Sequence, residues 1–239
     1  ELPYSVLTSE QLRKEFGQAT FFTATDGNHG RGVAWAANRL GQKAVVHMPK
    51  GTTQTRLQNI AKEGAQVDIQ ELNYDDCVRL AAKEADETPR GVIVQDTAWD
   101  GYEEIPAWIM QGYGTMAMEA GEQLKAQGCE RPTHIFVQAG VGSLAGAVVG
   151  YFSNLYADNL PTFVVVEAEA AACLYKGAAA GESGAAPFGA LAAMMTMDEY
   201  KDLRNDIGLD ENSKVLLFST EGDTDPDRYK NIVWKGLDK

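Results

Sequence analysis

Basic residues are scarce in this chain: 21 lysines and arginines stand against 34 aspartates and glutamates, a formal charge of −13 over 239 residues. Such a balance repels polyanions and excludes nucleic acid or an anionic membrane as the main partner, though not a local anion pocket. Long hydrophobic runs are missing as well. No stretch approaches the roughly 18 apolar residues that a membrane span requires. The opening ELPYSVLTSE lacks the basic-then-apolar pattern of a secretory leader. Cysteine is rare, and Cys77, Cys129 and Cys173 are odd in number and far apart. That spacing argues against a disulfide framework or a zinc site and fits reduced thiols in a cytoplasmic setting. What remains is ordinary: 44% hydrophobic and 23% charged residues, in a length that can bury one large or two modest cores.

The pattern along the chain is an alternation. Thr8-Ser9-Glu10-Gln11 fits a capping box and predicts a short helix from about Ser9 to Phe16. FFTAT reads as a strand, followed by a helix from Arg31 to Leu40 that Gly41 ends. KAVVHMP is a buried strand stopped by Pro49, and a helix follows from Thr53 to Lys62. QVDIQEL, a helix from Tyr74 to Ala85, and VIVQDTA continue the series. A long helix from Pro106 to Gln127 precedes three further strands, THIFVQAG, TFVVVEA and VLLFSTEG. Short connections between alternating elements predict an α/β fold, with a mostly parallel sheet covered by helices on both faces. The stretch YKGAAAGESGAAPFGALAAM has no clear period and reads as a flexible loop or a place where sequence is missing.

Three strand ends carry glycine and polar residues, and open α/β sheets place their ligands at such ends. The first is Ala24-Thr25-Asp26-Gly27-Asn28-His29-Gly30-Arg31-Gly32. A strand that breaks into glycine and opens a helix presents free N–H groups and the positive end of a helix dipole to an anion. Asp26 suits a general base or a partner for a cationic substrate group, with a helix N-cap as the plainer alternative. His29 reads as a hydrogen-bonded structural residue or a catalyst, and Asn28 as a residue that tolerates a left-handed turn. The second is Gln138-Ala139-Gly140-Val141-Gly142-Ser143-Leu144-Ala145-Gly146. Its G-x-G-x-x-x-G departs from the dinucleotide fingerprint, so a single phosphate held by the N–H groups of 140–145 is the better functional reading. Packing alone is the other. Asp96, after VIVQ, is read at the carboxyl end of a strand, either as a site carboxylate or as a cap. Glu221, Asp223 and Asp225 in STEGDTD lack the spacing of a calcium loop. Together these predict a small phosphorylated ligand beside an acid–base pair.

The same residues carry a resemblance. The chain resembles the fold type II pyridoxal-phosphate enzymes, the group of the tryptophan synthase β-subunit and threonine dehydratase, and within it the diaminopropionate ammonia-lyases. Thr25-Asp26-Gly27-Asn28-His29 takes the place of the dehydratases' S-x-G-N-H, and VIVQDTAWDGYEEIPAWIMQGY, QAGVGSLAG and STEGDTD match ammonia-lyase motifs. The resemblance implies a three-layer α/β fold in two Rossmann-like domains, with 17–104 as the small domain and 1–16 with 105–239 as the remainder of the large one. It implies pyridoxal 5'-phosphate as cofactor, no metal, an amino acid substrate and a homodimer. It assigns Asn28 to the cofactor ring oxygen, and Gly140, Val141, Gly142, Ser143 and Leu144 to the phosphate. Thr220 goes to the pyridine nitrogen, Thr25, Gly27 and His29 to the substrate, and Asp26 and Asp96 to acid–base work. The implied reaction is elimination of 2,3-diaminopropionate to pyruvate and ammonia, with serine or threonine dehydration as the alternative. One departure is plain. The family's cofactor lysine precedes the first turn in an F-K-x-L-G-G-like motif, whereas here Lys14 precedes it in the unlike setting QLRKEFG. With that, and the close approach of CLYKG to GESGA, the expectation is of sequence missing before Glu1 and near 177–181, or of an inactive fragment.

Overall fold

The structure, a computed structural model, describes residues 2–167, 182–222, 225 and 226. The chain divides into two compact units, Glu1–Ala98 and Trp99–Lys239.

In the first unit the order is α1 (Tyr4–Leu7), α2 (Glu10–Phe16), β1 (Thr20–Ala24), α3 (Asn28–Leu40), β2 (Lys43–Met48), α4 (Gln54–Ala61), β3 (Gln66–Ile69), α5 (Tyr74–Glu87) and β4 (Gly91–Ile93). The strands pair in the order β3-β2-β1-β4, all parallel. Alternation along β2 explains the layering, because successive side chains point to opposite faces. Val46 and Met48 pack with Ala34 and Ile60, toward α3 and α4. Val45 faces the other way and joins Phe22, Ala81, Ala85 and Ile93 under α5. A fully buried aliphatic side chain of this kind contributes about 1.5–3 kcal/mol, which fixes the sheet between its two helical layers. His47 is a polar exception in β2: buried, with Asp68 2.9 Å from Nδ1 and Glu84 3.0 Å from Nε2.

The second unit contains α6 (Glu104–Ala126), β5 (His134–Gln138), α7 (Ser143–Leu155), β6 (Thr162–Val166), α8 (Glu182–Thr196), α9 (Lys201–Asp206) and β7 (Val215–Leu217). Its strands are parallel in the order β6-β5-β7. Ile135 and Val137 pack against Ala145, Val148 and Phe152 of α7 and Ala117 of α6. Phe136 points to the opposite face, with Met194 and Leu209. Both units are therefore three-layered α/β sandwiches, as expected.

Four local expectations are revised. Ser9 is the N-cap of α2 and accepts from Leu12 N–H at 3.2 Å, while the Thr8 hydroxyl turns back to the Tyr4 carbonyl. The residue three beyond Ser9 is Leu12, so no reciprocal box forms. α3 begins at Asn28 rather than Arg31, because Gly27 makes the turn and hydrophobic periodicity starts only at Val33. β4 stops at Ile93, so Asp96 lies three residues past the strand, not at its end. The aperiodic stretch contains a helix, α8, from Glu182 on. Its small residues Gly184, Ala185, Ala186 and Pro187 are all buried, so no polar face marks the period. The rest of that stretch, with the expected join near 177–181, lies outside the described residues. The expected division assigned residues 1–16 to the larger unit; in the structure Arg13 of α2 donates to the Arg39 carbonyl at 2.8 Å, within the first. No helix among the described residues is long and apolar enough to cross a membrane.

Candidate active site

Strand order places the polar turns. In the first unit the chain runs β1, β2, β3 to one side and returns with β4 on the other, so crossovers diverge between β1 and β4. A crevice opens beyond the carboxyl ends of strands at such a reversal. β1 leads there into Thr25–His29, and β4 into Val94–Asp96. The second unit repeats the device between β5 and β7, which lead into Gly140–Leu144 and Thr220.

Helix starts differ in their caps, and α1, α6 and α9 begin at Pro3, Glu103 and Tyr200 without a side-chain cap. α2, α4 and α5 are capped by the side chains of Ser9, Thr53 and Asn73. α3 and α7 instead have glycine at the N-cap, Gly27 and Gly142, and no side-chain cap. Asp26 is thus not a cap; it is exposed, one residue before the turn glycine. First-turn N–H groups without intrahelical partners suit an anionic ligand.

The first turn is built tightly from below. Thr25 is buried; its N–H donates to the His47 carbonyl at 3.0 Å, and its hydroxyl accepts from Gly27 N–H at 2.9 Å. A Cβ on Gly30 would lie 2.2 Å from Thr25 Cγ2 and 2.9 Å from Val46 Cγ1, so only glycine lets α3 approach β1 this closely. Arg56 Nη1 donates to the Asp26 carbonyl at 3.3 Å, tying α4 to the turn. His29 Nε2 lies 2.8 Å from the Val94 carbonyl, which can only accept, so this nitrogen carries the hydrogen. His29 Nδ1 then faces Asp96 Oδ2 at 3.8 Å, a contact that is attractive while the imidazole holds its second proton. The structure thus brings Asp96 and His29 together and keeps both largely buried.

Two neighbours were not among the residues singled out from the sequence. Gln95 is fully buried and hydrogen-bonds Asp96, Tyr74 and the end of β1. The Tyr74 phenol is pushed up to about 12, first by burial and then by the Asp96 carboxylate. The Thr97 hydroxyl lies near enough to offset part of that rise, but outside hydrogen-bond geometry; it is buried without a partner. A glutamine and an aspartate in succession after a strand were the available signal.

In the second unit Gly140 and Gly142 take left-handed φ of 56° and 100°, and a Cβ at either would meet open space. Val141 is exposed, while Ser143 is buried at the start of α7. Gln138 Nε2 donates to Thr220 Oγ1 at 2.7 Å across the neighbouring strand ends. Its Oε1 is buried and has no hydrogen-bond partner. Glu221 accepts from Gly184 N–H at 3.3 Å. Asp225 is buried, and Asp223 lies outside the described residues. Among the described residues no cluster of three or more His, Cys, Asp or Glu side chains is placed to hold a metal.

The family model described as pyridoxal-phosphate dependent enzyme matches residues 4–212. The chain belongs to that family. Among pyridoxal-phosphate dependent enzymes it is 41% identical to the diaminopropionate ammonia-lyase of Salmonella typhimurium, covering 98% of this chain and 74% of the relative. That match runs over 302 residues against 239 here, so several tens of the relative's positions have no counterpart in this chain. A crystal structure of the apo Escherichia coli diaminopropionate ammonia-lyase superposes with TM-score 0.87 at 40% identity, covering 99% of this chain and 72% of that one. The same enzyme in complex with D-serine gives TM-score 0.87 at 36% identity, covering 99% and 74%.

The residues present fit the family's cofactor. An uncapped helix of 13 residues opening with Gly140–Ser143 offers N–H donors and space for a phosphate. The Thr220 hydroxyl beside it is held by Gln138, whose orphaned Oε1 leaves a polar atom unsatisfied. Lys14, the lysine that precedes the first turn, sits exposed on α2.

Proposed function

We propose that this chain carries the substrate turn and phosphate loop of a carbon–nitrogen lyase that eliminates 2,3-diaminopropionate to pyruvate and ammonia. The observation that carries the proposal is the pair Asp26 and Asp96 at the strand reversal of the first unit, in a chain 41% identical to a diaminopropionate ammonia-lyase. Two carboxylates suit an amino acid bearing two ammonium groups better than serine or threonine, which bear one. That charge argument also weighs against the dehydratase reading.

In this proposal the turn of Thr25, Gly27 and His29 receives the substrate carboxylate, with the His29 N–H and the Thr25 hydroxyl as donors, because the Thr25 and Gly27 N–H groups already serve the His47 carbonyl and the Thr25 hydroxyl. Asn28 donates to the cofactor's ring oxygen. Gly140, Val141, Gly142, Ser143 and Leu144 hold the phosphate, and Thr220 meets the pyridine nitrogen as a neutral hydroxyl. Pyridoxal phosphate, when bound, supplies an electron sink for charge developing at the substrate's Cα. Asp26 and Asp96 move the protons: one carboxylate takes the proton from Cα, and the other keeps the β-ammonium protonated as the leaving group. His29, held by the Val94 carbonyl, orients Asp96. The motif lysine that would anchor the cofactor is not among these residues. A homodimer and a cytoplasmic setting are part of the same proposal; the free thiols of Cys77 and Cys129 agree with the latter.

The natural protein that contains this chain, loaded with pyridoxal phosphate, should release pyruvate from 2,3-diaminopropionate in an assay coupled to lactate dehydrogenase. No pyruvate from a cofactor-loaded preparation would refute the proposal.

A further inference from the structure

We propose that Gln95 is a positioning residue: its buried carboxamide sets which partner donates and which accepts at Asp96 and Tyr74, and so holds Asp96 ready as a base. The inference deepens the reading of Asp96 given above and rests on it.

The orientation of this amide follows from its neighbours. The Ala24 N–H can only donate, so the Gln95 atom 3.0 Å from it is Oε1. The Thr23 hydroxyl donates to the same oxygen at 2.9 Å. The other terminal atom is therefore Nε2, with two hydrogens and two neighbours: Tyr74 Oη at 2.9 Å and Asp96 Oδ1 at 3.0 Å. Both neighbours must accept. All four bonds of the amide are made inside a residue that is 0% exposed.

Two consequences follow for the chemistry. Asp96 Oδ1 receives an N–H, which engages a lone pair there and favours protonation on Oδ2, the oxygen that faces His29 Nδ1 at 3.8 Å. Proton uptake by Asp96 is thus biased to one oxygen. The Tyr74 oxygen also receives an N–H, so its own hydrogen points away from the amide. Burial and the Asp96 charge keep that phenol protonated, so the second acceptor of the amide stays neutral beside the carboxylate. Because Oε1 is anchored to the last residues of β1, the amide also sets Asp96 in register with the turn that begins at Thr25.

Gln95→Glu separates this role from packing. The substitution keeps shape and an oxygen for Ala24 and Thr23, but puts an oxygen where Asp96 and Tyr74 now meet N–H. In the natural protein loaded with cofactor, it should lower kcat about 10–100-fold at about pH 8 with KM nearly unchanged, the range of a charge-assisted hydrogen bond. The loss should shrink as pH falls toward about 6, because the introduced carboxyl, once protonated, donates to Asp96 again. Gln95→Met should lose kcat at every pH without that recovery. A loss in Gln95→Glu that is independent of pH, or confined to KM, would overturn the proposal. Asp96→Asn distinguishes the two claims. Unchanged turnover there removes the reading of Asp96 itself; lost turnover there with a wild-type Gln95→Glu removes this inference alone. One measurement needs no variant. The Gln95 side-chain amide protons should exchange slowly by NMR, and exchange as fast as a solvent-exposed glutamine's contradicts the geometry.

Discussion

Two glycines of α3, two residues apart, should respond in opposite directions to the same substitution. At Gly30 an added Cβ meets Thr25 Cγ2 at 2.2 Å and Val46 Cγ1 at 2.9 Å. Neither neighbour can swing aside: Thr25 is buried and held through its N–H and hydroxyl, and Val46 is fully buried in β2. Overpacking of this kind costs about 1–3 kcal/mol. Exchanging glycine for alanine inside a helix returns about 0.5–1 kcal/mol. Gly30→Ala should therefore destabilise by about 1 kcal/mol, the difference between the middles of those two ranges, and by about 2.5 kcal/mol at most. Gly32 meets nothing within 4 Å, so Gly32→Ala keeps only the favourable part and should stabilise by about 0.5–1 kcal/mol. Urea unfolding followed by circular dichroism reads both. Thr25→Ser removes the clashing methyl, and combined with Gly30→Ala it should recover at least about 0.5 kcal/mol of coupling. Shifts of the same sign at Gly30 and Gly32, or strict additivity of the Thr25 and Gly30 changes, would refute the close approach of α3 to β1.

Other outcomes follow from the same geometry. Asp26→Asn and Asp96→Asn should each lower pyruvate release by about 10²–10⁴ while leaving cofactor affinity within a few-fold, checked by steady-state kinetics and cofactor titration; retained turnover rejects the acid–base assignment. Thr220→Ala leaves the buried Gln138 amide without its partner and should cost about 1–3 kcal/mol, measured by denaturant unfolding. Burial, followed by the nearby Asp68 carboxylate, pushes the Cys77 thiol up, so Cys77 should resist alkylation in the folded chain while the part-exposed Cys129 reacts; mass mapping of labelled sites decides. The Asn212 backbone N–H beside Asp210 holds its carboxyl below the usual range, with the Ser213 hydroxyl adding to the effect. A lowered pKa in the folded state stabilises above the unfolded pKa and is lost as pH falls through the folded one. An Asp210→Ala variant should thus be less stable near neutrality and converge with the parent in acid unfolding.

Repetition of one local pattern made the fold legible. Each strand is a short apolar run followed by glycine or a polar turn and then a helical period, which leaves few topologies other than a parallel α/β sheet. Boundaries failed where a tertiary cause had no sequence period. α3 starts early because Gly27 turns the chain there, while the apolar stripe waits until Val33. α8 was hidden because both its faces are small and apolar, and β4 was overdrawn because VIVQD looks continuous although only Gly91–Ile93 pairs with β1. At the site, Asp26, His29 and Asp96 stood out as chemically able residues next to glycine. Gln95 and Tyr74 did not. Their importance lies in hydrogen bonds to residues 71 and 21 positions from Gln95, a relation that only the folded sheet creates.

The claim at the centre of this account is that paired carboxylates select a substrate with two ammonium groups. The ratio of kcat/KM for 2,3-diaminopropionate over serine, measured in the cofactor-loaded natural protein and in its Asp26→Asn variant, tests it most directly. Diaminopropionate should be preferred, and that preference should fall by about 10–100-fold in the variant, the worth of one charge-assisted hydrogen bond. A preference for serine in the unmodified protein, or a ratio that Asp26→Asn leaves in place, would contradict it.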